Sequence, residues 1–361
     1  MYSFEPNEEQ QMLIDAVSRY AANDLRVAAE EAEEGGKFPD GLIEKGWEMG
    51  VLQASIPEEY GGFGEYSSVT GALAAEELAY GDLPGAMAVM IPNLFVLPIL
   101  LAGSKEQKEK FIPPVIEMEW KAYTAALIEP SFDFDATDLK TTALAEGDDF
   151  VISGKKTYVP YAADAEAMIV YANVDGETQG FILPAGAEGL SVSEEKNKLM
   201  SLNALPLYDV ELDGVRVSKE NRLEGDFGAV IAASRVALAA LAVGVAKASL
   251  NYAIDYAKER EVFGVKVAQK QAIAFMMAEM AMEIEATRML TWEAAWMLDV
   301  GKEDSHKAAY LAATSAIDMV MMVTDRGVQI LGGHGYIREH PVERWMRNGR
   351  GFATFTGLAI V

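Results

Sequence analysis

The spacing of apolar residues changes twice along the 361-residue chain, and this limits the folds it can adopt. An N-terminal segment shows helical spacing, as at Val17 and Tyr20, and the segment after it alternates short β-type runs with turn residues. The remainder is again helical and rich in Ala and Met. These patterns predict an α+β fold with an N-terminal helical domain (1–127), a central small β-barrel or sandwich domain (128–226) and a C-terminal four-helix bundle (227–361).

Turn and helix-breaking residues predict where strands and helix ends lie within these three domains. Turn residues bound four β-type runs, which are predicted to be strands: Phe150–Ser153, Met168–Val174, Gly180–Leu183 and Tyr208–Leu212. Breaks between helices are predicted at two glycine pairs and two prolines: 35–36, 61–62, Pro92 and Pro98.

Composition excludes several classes of function. Acidic residues outnumber basic ones 56 to 30, giving a net charge of −26, which opposes binding to nucleic acid or to an anionic membrane surface. The chain has no cysteine, and its three histidines lack carboxylate neighbours at metal-site spacing, so no disulfide, thiolate or metal site is expected. The acidic N-terminus lacks the basic and apolar segments of a secretory signal, so we expect a cytoplasmic protein.

Two long apolar stretches are predicted to be buried helices rather than membrane spans. Met90–Gly103 contains two prolines, and Gly228–Ala246 contains Arg235 near its centre. A charge in such surroundings needs a partner, so we expect a carboxylate or an anionic ligand beside Arg235. Methionines at helical spacing in the C-terminal region are predicted to be packing residues: Met276, Met277, Met280, Met282, Met319, Met321 and Met322.

Two C-terminal motifs suit an anionic, ring-containing ligand, although each has a structural explanation as well. Three glycines in the segment 332–335 allow backbone amides to approach an anion, but they equally suit a tight turn between helices. Arg260 and Phe263 offer a guanidinium and an aromatic face, but both also fit an ordinary surface. No GxSxG, P-loop or strand-linked GxGxxG motif is present in the sequence.

Taken together, the motifs resemble those of the acyl-CoA dehydrogenase family over essentially the whole chain. The segment IPEEYGGFG (56–64) resembles the family's P-x-x-x-G-G-x-G turn, and IEP (128–130) stands where the family has T-E-P. EREVFGVKVAQKQAI (259–273) resembles R-x-x-F-G with its following glutamine, and QILGGHGYIREHPVERWMRNGR (329–350) resembles the G-G-x-G-Y and P-V-E-R elements. The resemblance implies the same three-domain fold and FAD-dependent α,β-dehydrogenation of an acyl-CoA.

The resemblance also indicates that the usual catalytic base is missing. Family members use a glutamate in a Y-E-G-T segment, or one just before an arginine on the first bundle helix. These positions are Thr356 and Ser234 here, and a hydroxyl does not replace a carboxylate base without strong activation. No catalytic residue is therefore assigned.

The positions that contact FAD in the family fall into two groups here, one replaced and one kept. Residues that contact a subunit's own FAD in the family are replaced here. Ile128 stands at the Thr of T-E-P, and Asp133 stands at the Gly of G-S-D. Tyr158 and Pro160 stand at the Trp and Thr of W-I-T. The contacts that family members make to a neighbour's FAD are kept, at Arg260, Phe263, Gln271, Gln329, Gly332 and Gly333. This resembles the degenerate subunit of a heteromeric enzyme, such as a heterotetramer, sharing FAD at an interface with a paralogous subunit.

Three hypotheses follow. The first is this heteromeric acyl-CoA dehydrogenase, passing electrons to an electron-transfer flavoprotein or similar acceptor, for a bulky acyl group such as a steroid side chain in lipid or steroid degradation. The second is a homo-oligomeric flavoenzyme with another base, for which Arg235, Tyr158 and Glu129 are candidates. The third is a flavin-free scaffold.

Overall fold

The computed structural model describes residues 5–117 and 119–361, so the first four residues of the acidic N-terminus lie outside the described residues. The N-terminal region is helical. Its α-helices are α1 (Glu8–Tyr20), α2 (Arg26–Gly35), α3 (Leu42–Trp47), α4 (Ser68–Gly81), α5 (Leu83–Val89), α6 (Asn93–Ala102) and α7 (Lys105–Phe111).

Three of the four predicted breaks between these helices are confirmed. Gly36 ends α2 and Gly61 follows a short 3-10 turn, both at positive φ, while Pro92 immediately precedes α6. The prediction at Pro98 was wrong, because Pro98 lies inside α6. Burial of nearly the whole helix compensates for the backbone hydrogen bond that a proline cannot donate.

The central region forms one sheet of seven strands. They are β1 (Tyr123–Ala126), β2 (Thr142–Glu146), β3 (Asp149–Pro160), β4 (Ala167–Val174), β5 (Glu177–Pro184), β6 (Leu190–Val192) and β7 (Leu207–Ser218). The order is β1-β4-β2-β3-β7-β6, with β5 paired to β4. All four predicted β-type runs lie within strands β3, β4, β5 and β7. The exact domain boundaries stay a prediction.

Long helices make up the C-terminal region. They are α8 (Phe227–Glu259), α9 (Gln271–Asp299) and α10 (Ser305–Leu331), followed by the short α11 (Val342–Gly349) as the fourth helix. A hairpin of β8 (Glu261–Val262) and β9 (Val265–Lys266) joins α8 to α9.

The prediction that the apolar stretches form buried helices is confirmed. Among the described residues, α8 has the length and composition to cross a membrane, and α5 with α6 does so only as a pair bent by 53°. Yet 89% of the most apolar window of α8 is buried inside the protein, where it packs mainly on α4 and α10. Among the methionines, Met280 and Met319 are buried as predicted, whereas Met282 is 64% exposed, so its assignment as a packing residue was wrong.

A buried carboxylate joins three of the packed helices. Glu76 on α4 is 2% exposed, and its Oε1 lies 2.6 Å from Nζ of Lys247 on α8 and 2.9 Å from Nε of Arg288 on α9. Lys247 also contacts Glu77, and the nearby carboxylates raise its pKa despite its burial. One buried glutamate therefore pairs with two cations where α4, α8 and α9 meet.

We expect Glu76→Gln to lower the free energy of unfolding by about 2 kcal/mol, because it leaves two half-buried cations facing a neutral amide. Urea denaturation measures the change. The matched control is Glu285→Gln, which removes a 61% exposed carboxylate 3.8 Å from the same Arg288 and should change stability by less than about 0.5 kcal/mol. Equal effects from the two variants would contradict a structural role for the buried pairing.

Candidate functional site: an aromatic cavity and an exposed cluster on the helical bundle

An aromatic cavity of about 500 Å³ lies between the central sheet and the C-terminal segment. The rings of Tyr158 and Phe355 lie 5.5 Å apart in its wall. The lining comprises mostly apolar residues, with Glu129, one serine and two threonines: Ile128, Glu129, Pro130, Ser131, Phe132, Phe134, Thr157, Tyr158, Thr354 and Phe355. Ile128 and Tyr158 are two of the positions at which the sequence predicts replaced contacts to the chain's own FAD.

Tyr158 reaches the cavity through an irregularity in β3. The pairing of β3 with β7 shifts register between Lys156 and Val159, and Tyr158 in this bulge has a φ of 54°. A bulky residue at positive φ is strained, so the surrounding structure must hold it there. The family motif identifies Tyr158 in the sequence, but no sequence pattern indicates the bulge.

The donor groups along this wall do not fit a flavin. The Thr157 amide donates to the Ile128 carbonyl at 2.9 Å and its hydroxyl donates to Asp209 at 2.5 Å, while Pro160 has no amide hydrogen. At the rim, hydrogen bonds from Ser131 and Lys140 hold the pKa of Asp133 well below its usual range. An ionised carboxylate at this rim repels a pyrophosphate. Thr157 and Pro160 therefore offer no free amide to a flavin along this wall.

Glu129, one of the alternative bases, is committed to a buried ion pair. Its Oε1 accepts from Lys156 Nζ at 2.9 Å, and its two oxygens also accept from the amides of Thr141 and Lys140. Burial raises the pKa of Glu129, but the Lys156 charge and these donors outweigh burial and bring it below its ordinary value. The carboxylate thus holds β3 to the loop before β2, and it is poorly placed to accept a substrate proton.

Burial lowers the pKa of Lys156 from 10.5 to about 8, although Glu129 opposes the shift. Between these values the unfolded chain binds more protons than the folded chain, so stability should rise with pH from about 8 to 10. The double variant Lys156→Met with Glu129→Gln should lose this rise in urea denaturation series. Lys155→Met, which removes the adjacent exposed lysine, should keep it, and an unchanged slope in the double variant would refute the assignment.

The two positions of the usual base lie next to each other. The Gly357 amide, one residue after Thr356, donates to Ser234 Oγ at 2.9 Å. Beyond this point the segment Leu358–Val361 is buried, and its carbonyls accept hydrogen bonds from Asn93 and Tyr66. Side chains of this segment therefore pack into the interior, and a void of about 10 Å³ lies beside Val361.

Of the two partners predicted for Arg235, the carboxylate is not found, and the anionic ligand stays a prediction. No carboxylate forms an ion pair with Arg235 among the described residues. Its guanidinium instead lies 5.1 Å from the ring centre of Tyr310, with Asp135 contributing only a longer-range attraction. The side chain is partly exposed and lies over an aromatic face, and burial lowers its pKa.

A second candidate site lies at the far end of α8. Arg260 caps this helix, and the β8–β9 hairpin carries Phe263, which is 94% exposed at a φ of 57°. Gln271 begins α9, and Gln329 lies just before the end of α10. All these side chains are exposed, and within the described residues those of Arg260, Gln271 and Gln329 make no hydrogen bond.

The glycine turn lies at this same end of the bundle. It forms a 3-10 turn (Gly332–Tyr336), in which Gly332 has a φ of 59° and both Gly332 and Gly333 face open space. Tyr256, one helical turn before Arg260, is hydrogen-bonded to His334 of the turn at 2.7 Å. The structure thus brings the two sequence motifs together. The Gly332 amide donates to the Gln329 carbonyl, so the exposed Arg260 guanidinium and the unobstructed surface of Gly332 and Gly333 are the features that suit an anionic ligand such as the pyrophosphate of FAD. The tyrosine–histidine contacts had no sequence signal.

Three sequence profiles of one family cover nearly the whole chain. The acyl-CoA dehydrogenase N-terminal, middle and C-terminal domain profiles match residues 7–119, 124–215 and 227–359. The chain therefore belongs to the acyl-CoA dehydrogenase family, whose members are FAD-binding oxidoreductases acting on CH–CH bonds.

Individual relatives agree with this membership. The short-chain specific mitochondrial acyl-CoA dehydrogenase of Sus scrofa is 34% identical over 96% of this chain and 86% of its own length. The caffeyl-CoA reductase–Etf complex subunit CarC of Acetobacterium woodii is 34% identical over 98% and 96%. The butyryl-CoA dehydrogenase structure from Megasphaera elsdenii is similar with a TM-score of 0.87, at 30% identity over 97% of this chain and 94% of that one.

Proposed function

We propose that this chain is one subunit of a heteromeric acyl-CoA dehydrogenase, in which a paralogous subunit carries the catalytic base and the main FAD contacts. The present chain donates Arg260, the hairpin with Phe263 and the glycine turn to that FAD. The observation that carries the proposal is the placement of the two candidate sites at opposite ends of α8. At the first site Thr157 and Pro160 offer no free amide, and at the second the Arg260 guanidinium is exposed and makes no hydrogen bond among the described residues.

The two candidate sites are too far apart for one cofactor to contact both within a single chain. Ser234, beside the aromatic cavity, and Arg260 lie about 39 Å apart along α8 at a rise of ~1.5 Å per residue. A single cofactor in that cavity is out of reach of the Arg260 side chain. The exposed donors at the far end are therefore useful only for a ligand held by another subunit.

Exposed apolar side chains support a subunit contact at and beside this far end. Phe263 and Tyr336 are 94% and 85% exposed on the hairpin and the glycine turn. Along α9, Phe275, Met282 and Leu290 are also exposed. Such aromatic and apolar surface on a chain of charge −26 favours a protein partner that covers it.

The substrate and acceptor are proposed from chemistry and from relatives. We assign the partner's site to an acyl-CoA, which agrees with the names of the porcine and Acetobacterium relatives. The latter belongs to a complex with an electron-transfer flavoprotein, and an acceptor of that kind is proposed here. A bulky acyl group, such as a steroid side chain, and a cytoplasmic location are part of the same proposal.

FAD content per chain tests this proposal directly. Flavin absorbance should show no FAD on this chain purified alone, and about one FAD per two chains after co-expression with the paralogous subunit. One FAD per chain in the protein expressed alone would overturn the proposal, because it requires donors in the aromatic cavity.

Arg260→Ala should lower the FAD affinity of the co-expressed complex about tenfold or more, since a charge-assisted contact is worth roughly 1.5–3 kcal/mol. The control Arg19→Ala removes an exposed arginine at the end of α1 and should leave FAD binding unchanged. Normal FAD affinity in Arg260→Ala would refute the donated contact.

Restoring the family's base alone should not create activity in this chain. Thr356→Glu places a carboxylate beside the aromatic cavity, but the missing flavin donors and the filled interior remain. The measurement is acyl-CoA-dependent dye reduction by the variant expressed alone with added FAD. Activity well above that of the unmodified chain would show that only the base is missing.

A further inference from the structure

Four aromatic side chains form one polar cluster behind the glycine turn. Tyr252 and Tyr256 lie one turn apart on α8, and each hydroxyl is 2.7 Å from an imidazole Nδ1, of His340 and His334 respectively. The two imidazoles stack with ring centres 5.3 Å apart and planes 19° apart. The cluster therefore fastens two successive points of the segment 334–340 to the last turns of α8.

The opposite side of the glycine turn is fixed by a close contact with α10. A Cβ at Gly335 would lie 2.4 Å from the Val328 carbonyl oxygen, so this position holds the turn against the helix that precedes it. Gly332 and Gly333 have no such neighbour and face open space. The position of these two glycines relative to α8 thus depends on the tyrosine–histidine contacts.

We propose that the Tyr252–His340 and Tyr256–His334 pairs are positioning residues, which set the glycine turn at the correct distance from Arg260 for both to contact one anionic cofactor on the partner subunit. This inference rests on the proposed function. Tyr256 is the direct link, because it is bonded to the turn and lies one helical turn from Arg260. Neither tyrosine needs to contact the cofactor.

Removing one hydroxyl from the cluster distinguishes a positioning role from a packing role. Replacing Tyr256 with Phe keeps the ring and its edge-on contacts with His334 and His340, and removes only the hydroxyl. A purely structural cluster would tolerate this change with little effect on the turn. A positioning cluster loses the bond that fixes the turn.

The first test measures the turn in the chain without cofactor. Amide hydrogen exchange in the segment 331–336 should become faster in Tyr256→Phe, while the melting temperature changes little. The control Tyr310→Phe removes the hydroxyl of a half-exposed tyrosine on α10 and should leave this exchange unchanged. Unchanged exchange in Tyr256→Phe would overturn the inference.

The second test measures FAD affinity in the co-expressed complex. Tyr256→Phe should weaken FAD binding about fivefold, as expected for one neutral hydrogen bond. In an Arg260→Ala background it should have a smaller effect, because the turn then has no second contact to be aligned with. Additive effects of the two substitutions on FAD affinity would refute the positioning role. So would a loss of FAD affinity that occurs only because the two subunits no longer assemble.

The two proposals fail in different ways. If Arg260→Ala weakens FAD binding and Tyr256→Phe does not, the positioning role alone is wrong. If neither variant changes FAD affinity in the complex, both the donated half-site and the positioning role are wrong.

Discussion

The close approach of α8 to α4 is the contact on which the rest of the structure depends. A Cβ at Gly244 of α8 would lie 2.2 Å from the Glu76 carbonyl oxygen, so only glycine allows the two helices to meet at this distance. A second small-residue contact lies nearby in α8, where a Cβ at Gly327 of α10 would lie 2.2 Å from Ser249 Oγ. These contacts fix the position of α8 along its axis against the helices on either side.

Because α8 is fixed in this way, both of its ends are fixed too. One end presents Ser234 to the C-terminal segment, and the other presents Tyr256 and Arg260 to the glycine turn. The core between them is continuous and mostly apolar, and the two ends lie far apart along the helix. Sequence changes beside Ser234 are therefore compatible with an unchanged arrangement around Arg260.

The sequence predicts features that depend on nearby residues better than features that depend on distant ones. The long apolar α8 and the four β-type runs follow from spacing and local motifs, and the structure contains each. Pro98 lies inside α6 because tertiary burial rather than local preference decides its surroundings, and Arg235 lies over the ring of Tyr310 instead of a carboxylate for the same reason. The pairing of Tyr256 with His334 joins distant parts of the chain, so no local pattern could indicate it.

The filled interior beside the aromatic cavity supplies packing that does not depend on a bound cofactor. A cofactor that binds only the native state stabilises it, and a subunit that loses the cofactor loses that contribution. Here the rings of Tyr158 and Phe355 and the buried segment Leu358–Val361 occupy space and provide apolar contacts instead. Gly71 accommodates this segment, because a Cβ there would lie 2.7 Å from Cβ of Val361. The same side chains thus maintain the packing of α4, α6 and α8, and with it the geometry at the opposite end of α8.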